Sequence, residues 1–138
     1  MERVIQGKPT IPGAARGILL IASEPLSFWG GYDQFSGEII DRRHPLSGQN
    51  AAGKILGVPF TRGSSTTTAI LLESVRRGVA PAALLTMQTD HFLALASIVA
   101  DEMYKKPIPI IVLNESEFAK LEGGVSLEIS ENGELKYV

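Results

Sequence analysis

Cysteine is absent from this 138-residue chain. That excludes disulfide stapling, and it excludes an iron–sulfur cluster ligated by thiolates of this chain alone. Histidine is scarce: His44 and His91 are too few for a self-contained zinc site, so no metal is expected on this chain's own side chains. No run reaches the roughly 20 apolar residues that span a bilayer. The opening Met1-Glu2-Arg3-Val4-Ile5-Gln6-Gly7 lacks the apolar stretch of a secretion signal. A dominant sign of charge is also missing: 13 Lys and Arg face 15 Asp and Glu, for a formal net charge of -2. Electrostatics therefore gives no reason to expect nucleic acid or an anionic membrane as partner. The short pairs Arg42-Arg43, Arg76-Arg77 and Lys105-Lys106 read as solvated surface. The expectation is a soluble cytoplasmic protein.

What is present is an ordinary globular balance, with 44% hydrophobic and 20% charged residues. Residues 1–138 fit one domain with a real core. Arg16 to Ile21 reads as a short buried strand ahead of Ser23-Glu24-Pro25. From Pro25 to Gly53 the pattern is irregular and rich in glycine, with one strand candidate, Glu38-Ile39-Ile40-Asp41. A loop-rich stretch of this length is more often functional or partner-facing than idle. Within it, Phe28-Trp29-Gly30-Gly31-Tyr32 has two readings of equal weight: aromatics capping the core, or an interface.

The second half alternates strand and helix. Lys54 to Pro59 is a strand stopped by proline. Ser65 to Arg77 has helical spacing, with Thr68, Leu71, Leu72 and Val75 on one face and Gly78 as the stop. Ala82 to Met87 is a strand, and His91 to Tyr104 a helix with Asp90 as N-cap and Phe92, Leu95, Ala96 and Val99 as its apolar face. Ile108 to Leu113 is a strand entering the sheet beyond its proline, and Glu115 to Leu121 a short helix before Gly123-Gly124. Val125 to Val138 reads as a hairpin, with Asn132-Gly133 supplying positive φ angles. The fold class is α/β (α+β), with a mixed or barrel-like sheet and flanking helices.

One segment carries chemistry: Thr61-Arg62-Gly63-Ser64-Ser65-Thr66-Thr67-Thr68, between a strand and a helix start. Free backbone N–H groups and the positive end of a helix dipole make such a turn receptive to anions. Gly63 lets a ligand approach the main chain, and Arg62 can grip a carboxylate or phosphate with two parallel hydrogen bonds. Ser64 and Ser65 present hydroxyls at the same point. On spacing alone the Ser-Ser-Thr run is first a helix cap and second an anion or substrate site. It is neither a Walker A loop nor a Gly-x-Ser-x-Gly elbow. His44, in His44-Pro45-Leu46-Ser47-Gly48-Gln49, is either an exposed residue of a proline turn or a loop contributor to the site. His91 fits local capping better than catalysis, and Lys54 is a weak candidate for charge support.

Several ordered pieces, taken together, resemble one family over nearly the whole chain. They are Pro25 to Asp33 with Ser36-Gly37, Gly48, Ala52 to Leu56, Arg62-Gly63-Ser64-Ser65 and Gly78 to Ala82. This set is similar to the small subunit, or swivel domain, of aconitase X proteins. The resemblance implies a swivelling β/β/α fold and a hydro-lyase (dehydratase) subunit acting on a small hydroxylated carboxylate. It implies that the serine directly after glycine, here Ser64, is the proton acceptor as an alkoxide. Arg62 and the helix start are the local features able to stabilise that alkoxide. Arg62, Gly63, Ser65 and Thr66 would then contact substrate. Ordinary aconitases place arginine and glutamate after the two serines; Thr66 and Thr67 stand here, so that arginine's role is not carried over.

The same resemblance places the iron–sulfur centre, acting as Lewis acid, on another chain, since this one has no thiolate. It therefore implies an aconitase X large subunit as partner, and inactivity without it. Two substrates are open, cis-3-hydroxy-L-proline and mevalonate 5-phosphate. Phe28-Trp29 and His44 to Gln49 look closer to the hydroxyproline type, and Arg62-Gly63-Ser64-Ser65 departs from the lysine-glycine-serine-threonine of the phosphomevalonate type. A phosphohistidine carrier is set aside because Thr66, Thr67 and Thr68 stand where its histidine would be. A non-catalytic anion-binding module stays open.

Overall fold

A computed structural model describes residues 4–62 and 65–138. The chain opens with two strands, β1 (Val4–Gln6) and β2 (Lys8–Ile11), joined through Gly7 alone. It continues through β3 (Ala15–Ile21), β4 (Leu26–Ser27), β5 (Ile55–Gly57), β6 (Thr61–Arg62), α1 (Ser65–Arg76) and β7 (Ala83–Thr86). Next come α2 (His91–Tyr104), β8 (Ile110–Val112), α3 (Glu115–Ala119), β9 (Ser126–Ile129) and β10 (Glu134–Tyr137). Among the described residues no helix is long and apolar enough to cross a membrane.

Eight strands form a mixed sheet in the order β1-β10-β9-β3-β5-β7-β8-β2. β3, β5, β7 and β8 run parallel, and the pairings of β9, β10, β1 and β2 are antiparallel. The strands at the two ends of that order are consecutive in the chain, so the sheet curls until Gly7 connects its two edge strands. The residue type is dictated by space. A Cβ on Gly7 would lie 2.3 Å from Ile111 Cγ2, while the Gly7 N–H donates to the Gly133 carbonyl at 2.9 Å. Neither β1 nor β2 is apparent in the sequence, because Gly7 and Pro9 interrupt any alternation.

Alternation along the strands separates two cores. Leu19, Ile55, Leu85 and Ile111 point into the barrel with Ile5, Leu127, Ile129 and Leu135, and Phe118 and Leu121 close that interior. Their neighbours Leu20, Leu56, Leu84 and Ile110 point outward, against α1, α2 and the long segment after β4.

The helices lie where expected, and Leu71, Val75 and Ala96 are buried as expected, but the rest of each inward face is rotated. α1 buries Thr67, Leu71, Ser74 and Val75, whereas Thr68 and Leu72 are only half-buried. Ser74 is accommodated because its hydroxyl donates to the Leu71 carbonyl at 2.6 Å. α1 ends in a Schellman arrangement: Gly78 has φ +76°, its N–H donates to Val75, and the Val79 N–H donates to Ser74. α2 begins after Asp90, whose carboxylate accepts from the Phe92 and Leu93 N–H groups. It buries Leu93, Ala96, Ser97 and Ala100, while Phe92 and Leu95 from the expected face stay 41% and 49% exposed. The helix is apolar nearly all round, so periodicity does not choose the face. Ser97 does: its hydroxyl donates to the Ile108 carbonyl at 2.7 Å and accepts from the Ile108 N–H at 2.8 Å. Those bonds serve a strand entrance flanked by Pro107 and Pro109.

Two further expectations are corrected. Glu38 to Asp41 forms no strand, only single bridges from Ile39 to Tyr32 and from Glu38 to Asn50. Ile39 exchanges hydrogen bonds with Gln49 and Gly48 while Ile40 turns to Gly31, so no ladder propagates. In the terminal hairpin only Gly133 has positive φ, at +86°. The Gly133 N–H donates to the Ser130 carbonyl and the Ser130 N–H to Glu134, giving a three-residue loop.

The aromatic pair after β4 divides its roles. Phe28 is buried and stacks on Tyr32 with centroids 5.0 Å apart, whereas Trp29 is 69% exposed.

Candidate functional site

β5 leaves the sheet at Gly57, passes Pro59 and becomes β6, which pairs in parallel with β4 through Leu26↔Thr61 and Ser27↔Arg62. α1 follows from Ser65. Gly63 and Ser64, the glycine and the expected proton acceptor, lie outside the described residues. Their flanks are described on both sides. Thr61 and Arg62 precede them on a strand, and Ser65 and Thr66 follow on the first turn of a helix with no acidic side chain there.

Arg62 is exposed, its guanidinium carbon 5.7 Å from the centre of the Phe60 ring. Its backbone carbonyl accepts from the Thr67 hydroxyl at 3.1 Å, which ties the end of β6 to the first turn of α1. Ser65 is exposed and Thr66 half-buried. A cleft of about 310 Å³ opens here. Thr61 and Arg62 form one wall, and Gln88, Thr89, Asp90, His91 and Phe92 form the other.

The second wall is the feature the sequence did not disclose. The Thr61 hydroxyl donates to Asp90 Oδ2, while Asp90 Oδ1 accepts from Phe92 N at 3.0 Å and Leu93 N at 3.1 Å. The Thr68 hydroxyl donates to the Phe92 carbonyl at 2.8 Å. The starts of α1 and α2 are therefore joined by threonine side chains, across separations of 24 and 29 residues that no local pattern reveals.

The histidines and Lys54 have distinct places. His44 is buried rather than exposed: its Nδ1 accepts from Leu46 N at 3.1 Å, and Nε2 lies 3.3 Å from the Glu24 carbonyl. With Nδ1 accepting, Nε2 carries the proton and donates, so both ring nitrogens hold the loop. His91 is exposed in the wall of the cleft, and Asp90 alone does the capping. Lys54, at the opposite end of β5 from Thr61, donates to the Asn50 carbonyl at 2.9 Å.

A mixed eight-stranded sheet with two helices packed on its outer face is an α/β arrangement of the kind expected for a swivelling β/β/α domain. A family model for the aconitase X swivel domain matches residues 4–137, and the chain belongs to that family. It is 46% identical over 112 residues to cis-3-hydroxy-L-proline dehydratase of Pseudomonas aeruginosa, covering 81% of this chain and 19% of that protein. It is 31% identical over 127 residues to the phosphomevalonate dehydratase small subunit of Methanothermobacter thermautotrophicus, covering 91% and 92% of the two chains. The chain thus spans about one fifth of the hydroxyproline dehydratase relative and nearly all of the small-subunit relative. Among solved structures, aconitase X of Thermococcus kodakaraensis in its holo-form superimposes with a TM-score of 0.86 at 26% identity, covering 99% of this chain and 98% of that one.

The side chains here do not fit a thiolate-held cluster. There is no cysteine, and among the described residues no three of His, Asp and Glu gather around a common point.

Proposed function

We propose that this chain is the small subunit of a heteromeric aconitase X dehydratase that eliminates water from cis-3-hydroxy-L-proline. In this reading Ser64 removes the proton beside the carboxylate, and Arg62, Gly63, Ser65 and Thr66 hold the substrate. The large subunit carries the iron–sulfur centre. The observation that carries the substrate choice is the 46% identity to the Pseudomonas aeruginosa dehydratase, against 31% to the archaeal phosphomevalonate small subunit. The local chemistry supports the residue roles. The first turn of α1 supplies N–H groups and no carboxylate, Arg62 is exposed beside it, and the cleft admits a small carboxylate.

A second reading, the small subunit of a mevalonate 5-phosphate dehydratase, is favoured by the matched length of that relative, 92% of which is covered. The test is co-expression with a cysteine-containing aconitase X large subunit, followed by assay on both substrates. Dehydration of cis-3-hydroxy-L-proline is expected. Turnover of mevalonate 5-phosphate alone would establish the second reading. Anion binding by the small chain, with no partner and no turnover, would point to a non-catalytic module instead.

A further inference from the structure

We propose that Asp90 is a positioning residue for the end of β6, which carries Arg62, with a function beyond capping α2. The inference rests on the dehydratase reading for its effect on turnover, but its geometric content stands on the hydrogen bonds alone. Asp90 divides its carboxylate between two tasks. Oδ1 accepts from two N–H groups of the first turn of α2, and this fixes the direction of Oδ2, which accepts from the Thr61 hydroxyl. An N-cap needs only the first of these.

Thr61 is the residue before Arg62, so the bond holds the end of β6. The start of α1 is held by the Thr67 hydroxyl on the Arg62 carbonyl and by the Thr68 hydroxyl on the Phe92 carbonyl. Two of these three ties run to α2 or its cap, and Asp90 provides the one on the β6 side. Helix α2 is a rigid base for that purpose, since Leu93, Ala96, Ser97 and Ala100 are buried beneath it. A base that removes a carbon-bound proton must be held to a fraction of an ångström, and a misplacement of about 1 Å costs on the order of a hundredfold in rate. Asp90 acts through Thr61.

The test separates the two tasks. Asp90→Ser retains an N-cap hydroxyl but loses the arm to Thr61, and Thr61→Val removes the same bond from the other side while preserving shape. In the full complex with the large subunit, each variant is expected to lower kcat about tenfold or more, with KM held within about twofold. The double variant should be no worse than the weaker single, because both remove one bond. Asp90→Asn should recover most of the loss, since the threonine hydroxyl can accept as well as donate.

Amide hydrogen exchange provides a readout free of activity. Exchange over residues 61–68 should quicken about tenfold or more in both single variants, with the body of α2 unchanged. Unaltered exchange and kcat in Thr61→Val would overturn the proposal, as would losses that simply add. A wild-type complex without dehydratase activity would sink the functional reading, while the exchange result would still decide the role of Asp90.

Discussion

The hydroxyl of Tyr32 donates to the backbone carbonyl of Val79 at 2.8 Å, joining the long segment after β4 to the loop that leaves α1, 47 residues away. Tyr32 is only 1% exposed, and burial pushes its phenol above its usual pKa, so the group stays a neutral donor. With Phe28 stacked on its ring, Tyr32 secures a segment that has little regular structure of its own and that follows directly on β4, the pairing partner of β6.

Tyr32→Phe retains the stack and removes only the hydrogen bond. It should cost about 1–2 kcal/mol, because the Val79 carbonyl is left without that donor. Denaturant unfolding of the isolated chain checks this. A midpoint equal to wild type would show that the bond adds nothing.

Closure of the barrel gives a sharper structural prediction. Gly7→Ala places a methyl group 2.3 Å from Ile111 Cγ2 and 2.8 Å from Leu113 Cδ2, and Ile111 is a branched side chain in the packed interior. A loss of about 1–3 kcal/mol is expected from overpacking. Thermal unfolding of the variant measures it, and an unchanged melting temperature would contradict the tight crossing of β1 and β2.

Acid stability should report on the end of α1. Glu73 accepts from Arg76 at 2.7 Å through both Nε and Nη2, and from Arg77 Nε at 2.8 Å. The Arg76 bonds, and then the Arg77 bond, hold its carboxyl down at about 2 against an ordinary 4.5. A carboxyl lowered in the folded state adds stability above its unfolded pKa, and that contribution disappears as pH falls through about 2. Glu73→Gln should therefore unfold slightly earlier than wild type at neutral pH, and the two should converge in strong acid. The difference is small because the ion pair is exposed to solvent screening. A difference that persists below pH 2 would contradict the assignment.

Arg62 is exposed, and only its backbone is used by β6. Under the proposed function, Arg62→Gln should leave folding and assembly intact and raise KM about tenfold or more. That is the scale of a lost charge-assisted hydrogen bond. Steady-state kinetics of the assembled complex decide it; an unchanged KM would remove Arg62 from the substrate contacts.

How far the sequence could be read depended on how local the signal was. The bounds of α2 and its Asp90 cap follow from adjacent residues, and the structure has them as expected. The inward face of α2 does not follow, because Phe92, Leu95 and Val99 look as buriable as Leu93, and the choice is made by a hydroxyl reaching Ile108. β1 and β2 escaped for the same kind of reason: their partners β10 and β8 lie at the far end of the chain, with Val4 paired to Lys136 and Lys8 to Val112. At the site, Arg62, Ser65 and Thr66 were legible as a run of residues. Asp90 was legible only as a cap, since its second bond to Thr61 exists only once the two helix starts are side by side.

The central claim concerns Ser64, and the most direct measurement is turnover of cis-3-hydroxy-L-proline by the Ser64→Ala complex with its large subunit, beside Ser65→Ala. Ser64→Ala is expected to assemble normally and lose about 10²–10⁴-fold in kcat, the range for removal of a positioned proton acceptor, while Ser65→Ala is milder. Wild-type turnover in Ser64→Ala would contradict it.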